Sequence, residues 1–391
     1  MTTTDQALPR YPFSTRGDRL ADELRGTCPV TRVTTNAGHE AWLVTGYPEA
    51  RRVLREERFR RARVADEGSP VQDVPVFAPE LLDAMAYLGR AGLLEEARRL
   101  LSDLPDLPEE ELRAEARRGL EEMAAQGAPG DLQHHFAERV AGLAMCRVMG
   151  LPTADLPRLR HWADTDLTML LPTEEIHRNW EQLRDHLIER GRHGDADGRG
   201  LVPRLAAMNT GSDALTPHQL ANVLGVVFVA GYEDLASFLG GAAFHLARMP
   251  GALAGIRTDP GSVEGHVEEL LRYSVLMGNA LARICTDGTE VGGRRLRTGD
   301  LVLVSVDAAN YDPATFPAPD SYDPSRRPNP HMRFGHGPHY CPGARLTRRV
   351  GALALTELAR LEGLRLAVPP QDVEWHPDRM AIMPAAVPVL W

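Results

Sequence analysis

Residues 216–248 constrain this chain more than any other stretch. Thr216 is a natural helix N-cap, Pro217 fits the first helical position, and Gln219 completes a capping box. Met249-Pro250-Gly251 supplies the stop. At 1.5 Å per residue the helix between them runs roughly 48 Å, enough to cross the whole molecule. From Val223 to Ala230 it is apolar nearly all round, which predicts burial. The rest of the chain must then wrap around it.

The wrapping elements read as mostly helical. Val30–Val33 and Ala41–Thr45 form a hairpin around Asn36-Ala-Gly38, and Tyr47-Pro48 opens a helix to Glu57. Residues 80–126 are helix-rich, with a break at Leu104-Pro-Asp-Leu-Pro108; residues 131–150 form an amphipathic helix stopped by Gly150-Leu-Pro152. A helix near Ser262–Ser274 carries Glu269 and Arg272, and short strands follow, Val302–Val306 among them. The expected class is mainly α with a small β portion. Length alone would suggest two or three domains, but no internal repeat divides the chain. Gly191–Gly200 is the expected mobile loop, and the stretch from Arg60 to Gly92 the expected lid.

Composition narrows the class. Apolar residues make up 43% and charged residues 25% of 391, as in ordinary soluble globular proteins. No run approaches the roughly 18 apolar residues of a membrane span, and the N-terminus lacks the apolar core of a signal peptide. A cytoplasmic location is expected. The net charge of −10 argues against nucleic-acid binding. All 44 basic residues are Arg. Between Ser321 and Arg349 six Arg face one acid, Asp323, so this segment is either a docking face for an acidic partner or a solvated surface.

Cys28, Cys146, Cys285 and Cys341 show no CxxC spacing, which argues against a disulfide framework or a zinc site. Cys341 stands apart. In Phe334-Gly-His-Gly-Pro-His-Tyr-Cys-Pro-Gly-Ala344 the glycines Gly335, Gly337 and Gly343 converge on it, and a helical run follows. Glycines let backbone N–H groups approach a sulfur closely, and a helix start beside it stabilises an anion. Phe334 can shield the sulfur from water. His339 can donate to an acidic group. FGxGxHxCxG fixes five positions besides the cysteine, and it matches the chemistry of a thiolate ligand to heme iron.

The sequence is similar to the bacterial cytochrome P-450 family, from Ala41-Trp-Leu-Val44 and Arg58-Phe59 through the long helix to Val389-Leu-Trp391. The resemblance implies one cytochrome P-450 domain over residues 1–391, with the long helix crossing a heme b. It makes Cys341 the iron ligand and places Phe334, Gly335, Gly337, His339, Gly343, Ala230 and Gly231 at the cofactor. It makes Arg283 a propionate holder and Glu269-Leu-Leu-Arg272 a structural ion pair behind the heme. It further implies a monomeric enzyme acting on a small natural-product intermediate, with electrons from a ferredoxin and its reductase docking near Cys341. Val226, Val229, Tyr232, Leu276 and Asn279 are expected to line the substrate pocket.

The chain departs from the family at three places. The usual Ala-Gly-x-acid-Thr-Thr reads Ala230-Gly-Tyr-Glu-Asp-Leu235, keeping the acid as Glu233 but putting Asp234 where a threonine normally helps deliver protons. Asp234 is then either a proton donor or substrate anchor, or the relay is simply lost. Either way an oxidative coupling or rearrangement without oxygen insertion stands as the alternative to monooxygenation. A heme-binding protein without turnover is the third reading. Ser321 replaces the Arg after Pro319-Asp320, leaving Arg326 or Arg327 to substitute, and Leu94–Leu100 lacks the usual propionate-binding His, leaving Arg98 or Arg99.

Overall fold

A computed structural model describes residues 8–391 except 14–16, 18, 26–27, 62–67, 73–83, 104–106, 167–171, 194–198, 378 and 380. Much of the expected lid and half of the expected mobile loop lie outside the described residues.

The central helix, α9 in chain order, spans Pro217–Ala247. Thr216 Oγ1 accepts from the Gln219 N–H at 3.2 Å, and the Thr216 N–H donates to Gln219 Oε1 at 3.0 Å, so the capping box is complete. Before it come α1 (Tyr47–Arg55), α2 (Ala84–Arg90), α3 (Leu94–Asp103), α4 (Glu109–Gln126), α5 (Glu138–Met149), α6 (Leu156–Asp166), α7 (Thr173–His193) and α8 (Leu201–Met208). After it come α10 (Pro250–Thr258), α11 (Val263–Tyr273), α12 (Val306–Ala309) and α13 (Ala344–Leu358). Helices α5 and α7 pack directly on α9, while α4 and α11 pack on α13. One apolar core runs through these six helices, while α1 and α12 pack in smaller clusters against the sheet. Among the described residues α9 is the one helix long and apolar enough to cross a membrane, and 72% of its most apolar window is buried. It is a core helix.

Two expectations shift at their ends. The helix before Gly150 opens as a π turn, Gln133–Ala137, and closes on Gly150 in the left-handed region at φ 72°. The strand at Val302 spans Leu301–Val304 only. Ser305 then caps α12 by accepting the Ala308 N–H at 3.2 Å, so Val306 is helical.

The sheet strands are β1 (Arg10–Tyr11), β2 (Val30–Thr35), β3 (Glu40–Val44), β4 (Phe59–Arg60), β6 (Leu281–Cys285) and β9 (Leu301–Val304), in the order β1-β2-β3-β9-β6-β4. A separate sheet places β5 (Gly130–Asp131) beside the chain end, and β7 (Thr289–Val291) pairs with β8 (Arg294–Leu296). Strand β9 pairs parallel with β3, Val44 opposite Val304, and antiparallel with β6, Val302 opposite Arg283. The connection from α11 to β6, Ser274–Ala280, therefore passes between the helices and the sheet. That connection and the cysteine loop border the site.

Candidate active site

The cysteine loop is held by its own backbone. Gly335 N donates to Met332 O at 2.8 Å, Tyr340 N to Gly337 O at 3.0 Å, and Cys341 N to Phe334 O at 2.9 Å. Gly337 has φ 74°, and a Cβ there would lie 2.6 Å from the carbonyl oxygen of Leu54. Glycine is thus required both by the turn and by the loop's seat on α1. The N–H groups of Gly343 and Ala344, where α13 begins, point at the Cys341 sulfur. Gly343 is close enough that a Cβ would lie 3.7 Å from Sγ. Phe334 is buried, with the Arg348 guanidinium 4.6 Å above its ring. His339 ends the short turn Gly337–His339, half-buried, two residues before the cysteine.

Burial pushes the Cys341 thiol up to about 11, and Asp234 adds to the shift against those N–H groups and Arg348. A thiolate here therefore needs a cation at the sulfur. Among the described residues no group of three or more His, Cys, Asp or Glu is placed to hold a metal ion. A single protein ligand suits a metal already held in a macrocycle, so the donor set fits a heme.

Opposite the loop, α9 shows one accessible stripe on an otherwise buried helix. Ala230 and Asp234 are exposed, and Val226, Val227 and Gly231 partly so, on a single arc. Asp234 lies within electrostatic reach of both Cys341 and Arg333, so the surface it shows faces an interior cleft rather than bulk water. Burial raises its carboxyl to about 6, and Arg333 acts against that rise.

Not every residue expected along α9 and its neighbours lies on that stripe. Val229 and Tyr232 are buried round the helix from the stripe, Tyr232 stacked on Phe228 at 6.2 Å and hydrogen-bonded to Arg160. Glu233 is buried at the edge of the stripe. Leu276 packs on α9 at Gly241, where a Cβ would lie 3.3 Å from its Cδ2. A Cβ at Gly231 would meet Met145 Cε at 2.6 Å, so that glycine is explained by close packing on α5. Asn279, on the α11–β6 connection, has a buried Oδ1 with no hydrogen-bond partner among the described residues.

Sequence reasoning passed over the charges behind α9. Burial, then Asp234, raises the Glu233 carboxyl to about 8, against Arg379 and the Ala381 N–H. Arg379 is buried and bonds Asp164 of α6 at 2.8 Å. The signal was a lone Arg in the apolar run that closes the chain. That run also consumes Ser237, whose hydroxyl donates to Ile382 O at 2.8 Å and is 1% exposed. The next hydroxyl down the helix from Asp234 therefore does not face the cleft.

Behind the loop, Glu269 and Arg272 are both 0% exposed and meet at 2.7 Å. Arg326 supplies the third member, its Nε 3.3 Å from Glu269 and its Nη1 donating to Pro317 O at 2.9 Å. Among the described residues Arg327 reaches only backbone carbonyls. Ser321 contributes its carbonyl oxygen, which accepts from Arg272 at 3.2 Å. Arg283 sits buried on β6 and donates to Ala282 O at 2.8 Å. Arg98 and Arg99 instead pair with Glu95 and Glu96 on their own helix, at 3.3 and 2.7 Å. Arg333, also overlooked, is buried against Asp307 at 2.8 Å, and Asp307 in turn accepts from the Met277 N–H at 3.0 Å.

A cysteine at a helix start, facing a long buried helix across a cleft, defines the heme-thiolate class of oxidoreductases. Comparison with known proteins makes this specific. The cytochrome P450 family model matches residues 173–387. The chain is 33% identical over 402 residues to mycocyclosin synthase of Mycobacterium tuberculosis, covering all of both chains. It is 34% identical over 418 residues to nocardicin C N-oxygenase of Nocardia uniformis, again covering all of both. A crystal structure of a cytochrome P450 with biaryl coupling reactivity superposes with a TM-score of 0.85 at 30% identity, over 98% of this chain and 99% of that one. The chain belongs to the cytochrome P450 family. It is an oxidoreductase of the monooxygenase type, with heme b as its cofactor.

Proposed function

We propose that this P450, folding as one domain and working as a cytoplasmic monomer, inserts oxygen from O2 into a small natural-product intermediate. Its electrons come from a ferredoxin and its reductase. The observation that carries the reading is the cleft with Cys341 on one wall and Asp234 on the other.

Bound heme supplies reductive activation of O2, which a thiolate ligand favours. The chain's residues do the rest. The Gly343 and Ala344 N–H groups hold negative charge on the sulfur, and Phe334 keeps water from it. Arg283 and His339 are the propionate holders, and Glu269, Arg272 and Arg326 brace the loop from behind. Asp234 holds a proton at its carboxyl below pH about 6 and releases it into the cleft. Val226 and Ala230 shape the wall beside it.

A second reading has its own support. The accessible stripe Val226, Val227, Ala230, Gly231, Asp234 carries no hydroxyl, and Ser237 is committed to Ile382. A cleft without that alcohol favours one-electron oxidation followed by coupling or ring closure. Relatives named for mycocyclosin synthesis and for biaryl coupling agree with it.

Product analysis under isotopically labelled O2 separates the two. Label in the product supports insertion. A product formed without label overturns it in favour of coupling.

A further inference from the structure

Glu268 and Glu269 are neighbours on α11, yet they serve different partners. Glu269 binds Arg272 and Arg326, whereas Glu268 reaches α13 and the cysteine loop. It meets Arg348 with both carboxylate oxygens, at 2.5 Å from Nε and 3.1 Å from Nη2. His331, its side chain 1% exposed, lies on the same carboxylate at 3.0 Å. The Arg333 N–H donates to His331 Nδ1 at 3.3 Å, so Nε2 carries the proton given to Glu268. Burial opposes ionisation of Glu268, but hydrogen bonds from His331 and Arg348 hold its carboxyl down at about 2. Burial also holds His331 below the ordinary histidine value, so it stays neutral. The cluster therefore holds one cation, Arg348, and one anion, Glu268.

Arg348 touches the cysteine loop at two further points. Its guanidinium stands 4.6 Å from the centroid of the Phe334 ring, and its Nη1 donates to the Tyr340 hydroxyl at 3.3 Å. Those two rings meet edge-on at 6.2 Å, and the Phe334 carbonyl accepts from the Cys341 N–H at 2.9 Å. Arg348 also acts on the Cys341 sulfur through space, favouring negative charge there. Reducing iron under a thiolate adds one negative charge, which a nearby cation stabilises and a nearby anion opposes. Arg348 and Glu268 thus pull one equilibrium in opposite directions. Arg349, the next residue of α13, turns instead to Glu109 of α4 in an exposed pair that solvent screens.

We infer that Arg348 is a positioning residue for the thiolate, holding Phe334 and Tyr340 in place and lending Cys341 positive charge, while Glu268 fixes Arg348 and limits how far that charge raises the reduction potential of the heme. This rests on Cys341 as the iron ligand in the function proposed above. The pair sets the potential by balance: the same two hydrogen bonds that orient the guanidinium also offset its charge.

The test is a redox titration of substrate-free, heme-loaded enzyme, followed by its absorption spectrum, with a CO-bound spectrum of each variant. Arg348→Gln should disfavour one-electron reduction about ten-fold, a potential about 59 mV more negative. Glu268→Gln keeps a hydrogen-bonding side chain and leaves the cation, so it should favour reduction by about three-fold or more. The double variant, stripped of both charges, should return to within about three-fold of wild type. Arg348→Lys, which keeps the charge, should also stay within about three-fold, and Arg349→Gln within about two-fold. Shifts of one sign in both single variants, or a double variant displaced further than either, overturn the inference, because lost packing alone gives that pattern. If Arg348→Gln retains too little heme to titrate, Glu268→Gln decides: a more positive potential supports the inference, and an unchanged or more negative one overturns it. A wild-type CO-bound band of the nitrogen-ligated type overturns the ligand reading and this inference with it.

Discussion

Asp234 occupies an unusual position for a carboxylate, held in an interior cleft within reach of one cation, Arg333, and one sulfur, Cys341. Its folded-state value near 6 lies above the ordinary aspartate value, so the proton is bound below that pH and lost above it. A donor that must be protonated gives a rate that falls as pH rises through about 6. Product formation by wild-type enzyme should show that inflection, and Asp234→Asn should lose it together with about ten-fold or more in rate. An unchanged profile in the Asn variant would remove Asp234 from the chemistry. Glu233, its neighbour on the helix, faces Arg379 and Asp164 instead, so the two acids of Glu233-Asp234 serve different surroundings.

At the scale of elements, the loop is braced by three ions that come from two places in the chain. Arg326 is the least expected of them. It binds Glu269 together with the carbonyls of Pro317 and Ser321, and its neighbour Arg327 does not. Removing one member of a buried ionic cluster leaves charge uncompensated. Arg326→Ala should cost about 3 kcal/mol, at the low end of that range because Arg272 remains on Glu269, while Arg327→Ala should cost well under about 1 kcal/mol. Denaturant unfolding of the heme-loaded proteins measures both. The Glu-x-x-Arg pair was legible because both members lie one turn apart on one helix. Its third member was not, because which of two adjacent arginines turns inward depends on the path of the loop from Pro317 to Asn329. The long helix was legible for the opposite reason, since its cap, apolar middle and stop are all local. Facing was harder: periodicity places Val226, Ala230 and Asp234 on one arc, but only the packing of α5 and of the C-terminal run shows that Val229, Tyr232 and Ser237 are taken up elsewhere. Arg379 and Asp164 meet across 215 residues, a separation no local pattern reveals.

Across the whole molecule, the sheet and the helices meet where β6 places Arg283, buried, on the strand next to β9. The chain lacks a propionate-binding His in α3, and Arg98 and Arg99 are bound to their own helix. On the proposed function, anchoring therefore falls to Arg283 and His339. Arg283→Ala should release heme to a scavenging apoprotein about ten-fold faster than wild type, in line with losing a charge-assisted bond of roughly 1.5 kcal/mol. An unaltered release rate would count against the assignment.

The central claim is that Cys341 is the chain's ligand to heme iron. The reduced, CO-bound spectrum of heme-loaded wild type and Cys341→His tests it most directly. Wild type should show the strongly red-shifted Soret band that a thiolate opposite CO produces, and the variant should show the shorter-wavelength band of nitrogen ligation. A wild-type spectrum of the nitrogen type, or a red-shifted band that survives in Cys341→His, would contradict the account.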